Sequence, residues 1–266
     1  DVGGLFDTLT GIENVEGSDF DDTLTGDGQA NQLGGGDGAD VPDAGDGADQ
    51  IFGDGGADTL EGGAGDDTLS GGTGNDVLFS AAGFDSLSGD DGTDTLDFSN
   101  ATQGVVFDML ASTLTDDGFG NAESVFAIEN AVGWAVADTL TVGLDAEVSG
   151  GAGDDLFVAR AGMGDATILD FVAGAATDDV LDVSEFGFGD LASVVAVASD
   201  DGTSTTIQLS ATETVVLNNV LVADLAEDDF IFDESAGQAP AVIDLAAGTS
   251  DDGFVFTDAQ NQQDFG

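Results

Sequence analysis

The chain has 266 residues, 55 of them Asp or Glu against a single basic residue, Arg160, for a formal charge of −54, and it contains neither His nor Cys. That composition excludes a histidine general base, a thiol nucleophile, disulfide staples and a zinc site built from nitrogen and sulfur. So negative a surface also repels nucleic acid and anionic lipid, which leaves a hard cation as the natural partner, above all Ca²⁺, bound by carboxylate and carbonyl oxygens.

Acidity on this scale is also a mark of disorder. Here, however, 41% of the residues are apolar, and they recur at a fixed period, as an ordered fold requires. No run of about 18 apolar residues is present, so no membrane span is predicted.

In chain order, residues 1–16 read as an N-terminal half-module. Aligned without gaps at an offset of 116, residues 1–25 match residues 117–141 at ten positions, including Ile12-Glu13-Asn14 against Ile128-Glu129-Asn130. A period of nine then begins at Gly17. Residues 62–70 (GGAGDDTLS) and 71–79 (GGTGNDVLF) both fit G-G-x-G-x-D-x-U-x, with U apolar, and the register extends over nine nonads, residues 17–97. Their sixth positions are Asp22, Asn31, Asp40, Asp49, Asp58, Asp67, Asp76, Asp85 and Asp94; their eighth are Leu24, Leu33, Pro42, Ile51, Leu60, Leu69, Leu78, Leu87 and Leu96.

This nonapeptide resembles the calcium-binding repeat of the RTX (repeats-in-toxin) family. The resemblance implies an all-β fold, a right-handed parallel β-roll with two nonapeptides per coil, and a Ca²⁺ ion between each turn and the turn 18 residues on. It assigns the sixth positions as ligands in two columns: Asp22, Asp40, Asp58, Asp76 and Asp94 in one, Asn31, Asp49, Asp67 and Asp85 in the other. Seven sandwiched ions follow. Asn31 keeps an oxygen but loses a charge, so the site at the roll entrance is expected to be weaker.

Elementary physics points the same way. A triplet x-U-x is too short to stand alone as a strand and must stack on copies of itself about 4.8 Å apart, burying U. The stacking also piles like charges about 5 Å apart, which repel by roughly 1 kcal/mol at the dielectric of water and about 3 kcal/mol at an effective value of 20. A cation between turns reverses that sign, and its binding energy becomes folding energy. Residues 17–97 are therefore expected to be largely unfolded without calcium. Pro42, which lacks a ladder N–H, is expected to weaken its rung.

Residues 98–132 leave the period and read as a β insert or cap, with Val105-Val106-Phe107-Asp108-Met109-Leu110 as a strand and Asp116-Asp117-Gly118 as a turn. Residues 133–166 read as a second, short roll whose Asp138 and Asp155 hold one more ion, for seven or eight in all; the register around Glu147 is ambiguous. Trp134 is expected in core or cap packing. Arg160 is either a built-in cation ending the calcium column, facing Glu147, or a solvent-exposed arginine.

Residues 167–232 resemble the β-rich C-terminal module that follows RTX rolls, a region that carries the type I secretion signal in that family, and residues 233–266 form a tail beyond it. In the tail, Val242-Ile243-Asp244 and Asp251-Asp252-Gly253-Phe254 resemble Val106-Phe107-Asp108 and Asp116-Asp117-Gly118-Phe119. The matched ends suggest a homopolymer in which the tail of one subunit completes the head of the next by strand addition; the alternative is an excerpt from a longer tandem array.

Two functions are carried forward. One is a secreted, extracellular structural protein, folded and stiffened by Ca²⁺. The other is a calcium-dependent folding and type I secretion module of a larger extracellular enzyme or adhesin. No catalysis is expected, because every obvious carboxylate pair that could do acid–base work falls in a metal position of the repeat.

Overall fold

The computed structural model of the chain describes residues 12–174 and 179–233. Expectations for residues 1–11 and 234–266, the matched tail among them, lie outside the described residues.

Each x-U-x triplet forms a strand whose middle side chain points inward, as in Thr59–Glu61, Val77–Phe79 and Thr95–Asp97. Among the described residues the strands form two sheets, of twelve and of eleven strands, and through the nonads successive strands alternate between them. In the nonad region both sheets are parallel and advance by 18 residues per rung: Gln50 pairs with Thr68 and Thr68 with Ser86 in one sheet, Thr59 with Val77 and Val77 with Thr95 in the other. Leu33, Ile51, Leu69 and Leu87 from one sheet meet Leu60, Leu78 and Leu96 from the other, all of them fully buried. This apolar file between the sheets is the core.

Pro42 behaves as its chemistry requires. Its strand, Val41–Asp43, pairs with Thr59–Glu61 only through Asp43 and Glu61, whereas the next rung pairs at three positions.

Both sheets run without a break through residues 98–132. In the twelve-stranded sheet, Glu123–Phe126 stacks in parallel on Ser86–Gly92, with Val125 in register with Leu87. It continues through an antiparallel pair, Thr113–Asp116 and then Val106–Asp108, on which Thr139–Thr141 stacks in parallel. The eleven-stranded sheet passes directly from Thr95–Asp97 to Asn130–Val132 and Glu147–Ser149. Phe107 and Val125 thus extend the apolar file, and Phe98 packs edge-on against Phe107 at 6.0 Å.

Further along, Leu156–Val158, Val180–Asp182 and Phe230–Ile231 add rungs to one sheet, and Asp165–Ile168 and Thr214–Leu217 to the other. An antiparallel hairpin, Thr205–Gln208 with Ala198–Asp200, closes the eleven-stranded sheet. The short helix Leu191–Val195 is capped by Asp190, whose carboxylate accepts from the Ser193 N–H at 2.8 Å. No helix among the described residues is long and apolar enough to cross a membrane.

Two expectations are corrected. Trp134 is 44% exposed and lies on the surface, because its residue sits in a turn whose main chain, not its side chain, faces the roll. Arg160 does not face Glu147: it pairs with Asp182 at 3.5 Å and Glu185 at 3.4 Å, acids on and just after the adjacent strand.

Candidate metal centre

The sixth nonad residue lies two positions before the buried apolar one, so it also points inward, at the end of a turn and not in a strand. Asp40, Asp49, Asp58, Asp67, Asp76, Asp85 and Asp94 are buried, as are Asn31, Asp138 and Asp155, whereas Asp22 on the first rung is half-buried.

One oxygen of each carboxylate is used to stitch successive coils. The Asp22 N–H donates to Asp40 Oδ1 at 2.7 Å, Asp40 to Asp58 at 2.7 Å, Asp58 to Asp76 at 2.8 Å and Asp76 to Asp94 at 2.8 Å. In the other column the Asn31 N–H donates to Asp49 at 2.6 Å, Asp49 to Asp67 at 2.8 Å and Asp67 to Asp85 at 2.9 Å. The two columns expected from the period are therefore physically continuous. Asp138 and Asp155 are also brought together: the Val105 N–H donates to Asp138 at 2.7 Å and the Asp138 N–H to Asp155 at 2.9 Å. Glu147 takes no part; it is exposed, and its N–H donates to Asn130 Oδ1.

The other carboxylate oxygen has nothing to bond. Oδ2 of Asp40, Asp49, Asp58, Asp67, Asp76, Asp94 and Asp155 is buried without a hydrogen-bond partner. A buried unpaired carboxylate oxygen is costly, and here the cost recurs at almost every rung. Three of the four remaining residues, all but Asp85, are partly satisfied within their own turns: Asp22 Oδ2 accepts from the Ser18 N–H at 2.6 Å and hydroxyl at 2.8 Å, Asn31 Oδ1 from the Asp27 N–H at 2.7 Å, and Asp138 Oδ2 from the Trp134 N–H at 2.9 Å.

The first glycine of the nonad keeps the space beside that oxygen open. A Cβ at Gly62 would lie 2.6 Å from Asp67 Oδ2, and one at Gly53 would lie 2.5 Å from Asp58 Oδ2. On the far side of the same space stands a carbonyl oxygen one coil on: a Cβ at Gly35 would be 2.8 Å from the oxygen of Gly53, and one at Gly71 2.8 Å from that of Gly89. The space is thus edged by an unpaired carboxylate oxygen and by main-chain carbonyls. No cluster of three or more acidic side chains converges among the described residues, so a cation here would have to draw on carboxylates from stacked turns and complete its shell with carbonyls. Hard oxygen donors, few of them charged and several from flexible main chain, suit Ca²⁺.

The electrostatics agree with that fit. Burial, reinforced by neighbouring carboxylates, pushes Asp58, Asp94 and Asp155 up to about 6 and Asp85 up to about 7. The stitching N–H bonds pull the other way and are outweighed. Without a cation these groups take up protons at a higher pH than free carboxylates do.

Three ligand-like residues escape the nonad count. Glu129 Oε2 accepts from the Asp94 N–H at 2.9 Å, Glu123 Oε2 accepts from the Asp85 N–H, and Asp179 Oδ1 accepts from the Asp155 N–H at 3.0 Å. They follow their predecessors by 35, 38 and 24 residues rather than 18, so a fixed period passes over them. Their shared sequence signal is an acid two positions before a buried apolar residue: Glu129 before Ala131, Glu123 before Val125, Asp179 before Leu181.

Comparison with known proteins places the nonads in a family. The RTX calcium-binding nonapeptide repeat, as a four-copy pattern, matches residues 7–42, 43–78 and 70–100. Among solved structures, the chain is similar to the AlgE6R3 subunit of the Azotobacter vinelandii mannuronan C5-epimerase, at 26% identity over 93% of this chain and 100% of that one, with a TM-score of 0.19. It is also similar to the extracellular lipase LipA from Serratia marcescens, at 16% identity over 85% of this chain and 40% of that one, with a TM-score of 0.23. No curated protein matches the sequence.

Proposed function

We propose, for a chain that carries RTX calcium-binding nonapeptide repeats between residues 7 and 100, that Ca²⁺ binding and folding are a single event and that the product is a non-catalytic extracellular scaffold. The observation that carries this reading is the file of buried, unpartnered Oδ2 atoms on Asp40, Asp49, Asp58, Asp67, Asp76 and Asp94. Each is a desolvated acceptor with no donor, and a divalent ion between coils satisfies two turns at once. The ligands are Asp22, Asn31, Asp40, Asp49, Asp58, Asp67, Asp76, Asp85, Asp94, Asp138 and Asp155, with turn carbonyls completing each shell.

About seven such ions reduce the formal −54 to about −40. The remaining charge keeps the outer surface hydrated. Weak modular sites of this kind fill at the 10⁻⁴–10⁻³ M calcium typical of extracellular modules, so the chain stays unfolded where calcium is scarce and folds after export. The same property serves a folding and secretion module within a larger enzyme or adhesin.

A second reading is head-to-tail assembly. Its support lies in the sequence: residues 1–25 match residues 117–141 at ten positions, and Val242-Ile243-Asp244 resembles Val106-Phe107-Asp108. A strand from one copy added to the head of the next would complete the module. Small-angle scattering in millimolar Ca²⁺ tests it: mass growing with concentration supports assembly, and a monomer at every concentration, unaltered by deletion of residues 239–266, removes it. For the calcium reading, far-UV circular dichroism of the full chain in EGTA and then in Ca²⁺ is the test. A gain of β signal on adding calcium, reversed by EGTA, is expected; identical spectra would overturn it.

A further inference from the structure

Where the nonads stop, the column that runs through Asp85 meets an unusual partner. The residue 18 positions on, Gln103, is not in the stack. Its place is taken by Glu123 from the hairpin of Thr113–Asp116 and Glu123–Phe126, whose Oε2 accepts the Asp85 N–H. Glu123 is 8% exposed, and its Oε1 is buried with no partner.

Facing it across the hairpin end is Asp117, which has no exposed surface. Asp117 Oδ1 accepts from the N–H groups of Phe119 at 2.8 Å and Asn121 at 2.9 Å, and Oδ2 from the Asn121 amide at 3.3 Å. Its carboxyl lies within hydrogen-bonding reach of the Glu123 carboxyl, and the Asp85 and Asp117 charges both act on Glu123. One more buried oxygen without a partner, Ser80 Oγ, stands on the turn that ends in Asp85, at the nonad position held by glycine in the two turns before it.

Two facing buried carboxylates require something positive between them. The only basic side chain in the sequence, Arg160, is held by Asp182 and Glu185. The choice is therefore between a shared proton and a metal ion, and oxygen-only donors, one of them a carboxylate with an idle oxygen, select a hard divalent cation.

We propose that Glu123 and Asp117 hold a Ca²⁺ ion outside the nonapeptide repeat, which clamps the 113–126 hairpin onto the last repeat turn at Asp85 and so couples the repeat region to the rungs beyond it. The proposal rests on the calcium reading above and adds a site, with its own side chains, that the nonad pattern does not contain. Glu123 thus places a carboxylate one methylene longer than Asp at the column position beyond Asp85.

The test is a count of bound Ca²⁺ per chain, by equilibrium dialysis with metal analysis and by native mass spectrometry, on the full chain and on Glu123→Gln, Asp117→Asn and the double variant. Glu147→Gln, at an exposed carboxylate outside the columns, is the control. The wild type and the control are expected to bind the same number, and each of the three variants one ion fewer; the double variant loses one, not two, because both residues serve one site. An unchanged count in the variants, with the wild type binding calcium, overturns this site alone and assigns the pair a shared proton. A wild type that binds no calcium overturns the broader reading as well. If a single variant fails to fold, the double variant decides, because its two amides hydrogen-bond each other without an ion. Hydrogen exchange of residues 113–126 gives the second readout: protection that rises with calcium in the wild type and not in the double variant is expected, and equal calcium dependence in both contradicts the clamp.

Discussion

Asp67→Asn separates the charge of a column carboxylate from its hydrogen bond. Asp67 Oδ1 accepts the Asp49 N–H at 2.8 Å, and an asparagine oxygen can keep that bond. What is lost is one negative charge, flanked along the column by Asp49 and Asp85 at about the 4.8 Å spacing of stacked strands. Without calcium, removal relieves two repulsions of roughly 1–3 kcal/mol each, so the variant is expected to gain about 2 kcal/mol or more. With calcium, two flanking ions each lose a charged ligand, and even a tenfold loss of affinity at each costs about 1.4 kcal/mol, or about 3 kcal/mol in all. The mutation therefore changes sign with the metal: stabilising in EGTA, destabilising in millimolar Ca²⁺. Urea unfolding in millimolar Ca²⁺, and the far-UV β signal retained in EGTA, where the wild type is largely unfolded, read the two signs. Destabilisation of equal size in both would refute the reasoning and reduce Asp67 to a hydrogen-bonding residue.

Acid should substitute in part for calcium. Carboxyl groups whose folded-state values are raised favour folding while protonated and lose that contribution as pH rises through the folded value; with Asp58, Asp94 and Asp155 at about 6 and Asp85 at about 7, the calcium-free chain is expected to be more structured near pH 4 to 5 than at pH 8, measured by circular dichroism in EGTA, and a flat profile would count against it. Gly56→Ala places a Cβ onto the carbonyl oxygen of Gly38 at φ +147°, whereas a Cβ at Gly28 meets nothing within 4 Å; thermal melts in calcium should show a loss of about 4 kcal/mol or more for the first and within about 0.5 kcal/mol of none for the second. Pro42→Leu restores a ladder N–H and the apolar file between Leu24 and Leu60, and a gain of about 1–2 kcal/mol is expected in the same melts.

The repeat was legible because its physics is local and periodic. The 18-residue stitch from Asp40 to Asp58 to Asp76 follows once two nonads make a coil, and the burial of Leu60 and Leu78 follows from the x-U-x triplet. Pro42 could likewise be read one residue at a time. Legibility ended where spacing became irregular. Glu123 and Glu129 occupy column positions after 38 and 35 residues, distances fixed by how an antiparallel hairpin inserts into a parallel sheet, and no local pattern encodes that pairing. Asp179 joins the column after 24 residues, with only the strand Asp165–Ile168 of the other sheet between, so there the irregularity lies in the length of the connections. Trp134, aligned by sequence with Ser18, occupies a turn, and large apolar character alone does not reveal that a turn side chain faces solvent. Arg160 found its acids on and just after a neighbouring strand, a long-range neighbour that pairing of sheets supplies and sequence adjacency does not.

The link between metal and fold stands or falls on hydrogen exchange of the full chain, compared residue by residue in EGTA and in millimolar Ca²⁺ at neutral pH. Main-chain N–H groups of Asp40, Asp49, Asp58, Asp67 and Asp76, each of which donates to a carboxylate one coil on, are predicted to exchange freely in EGTA and to become protected together as calcium is added. Equal protection of these amides in both conditions would contradict a calcium-built roll.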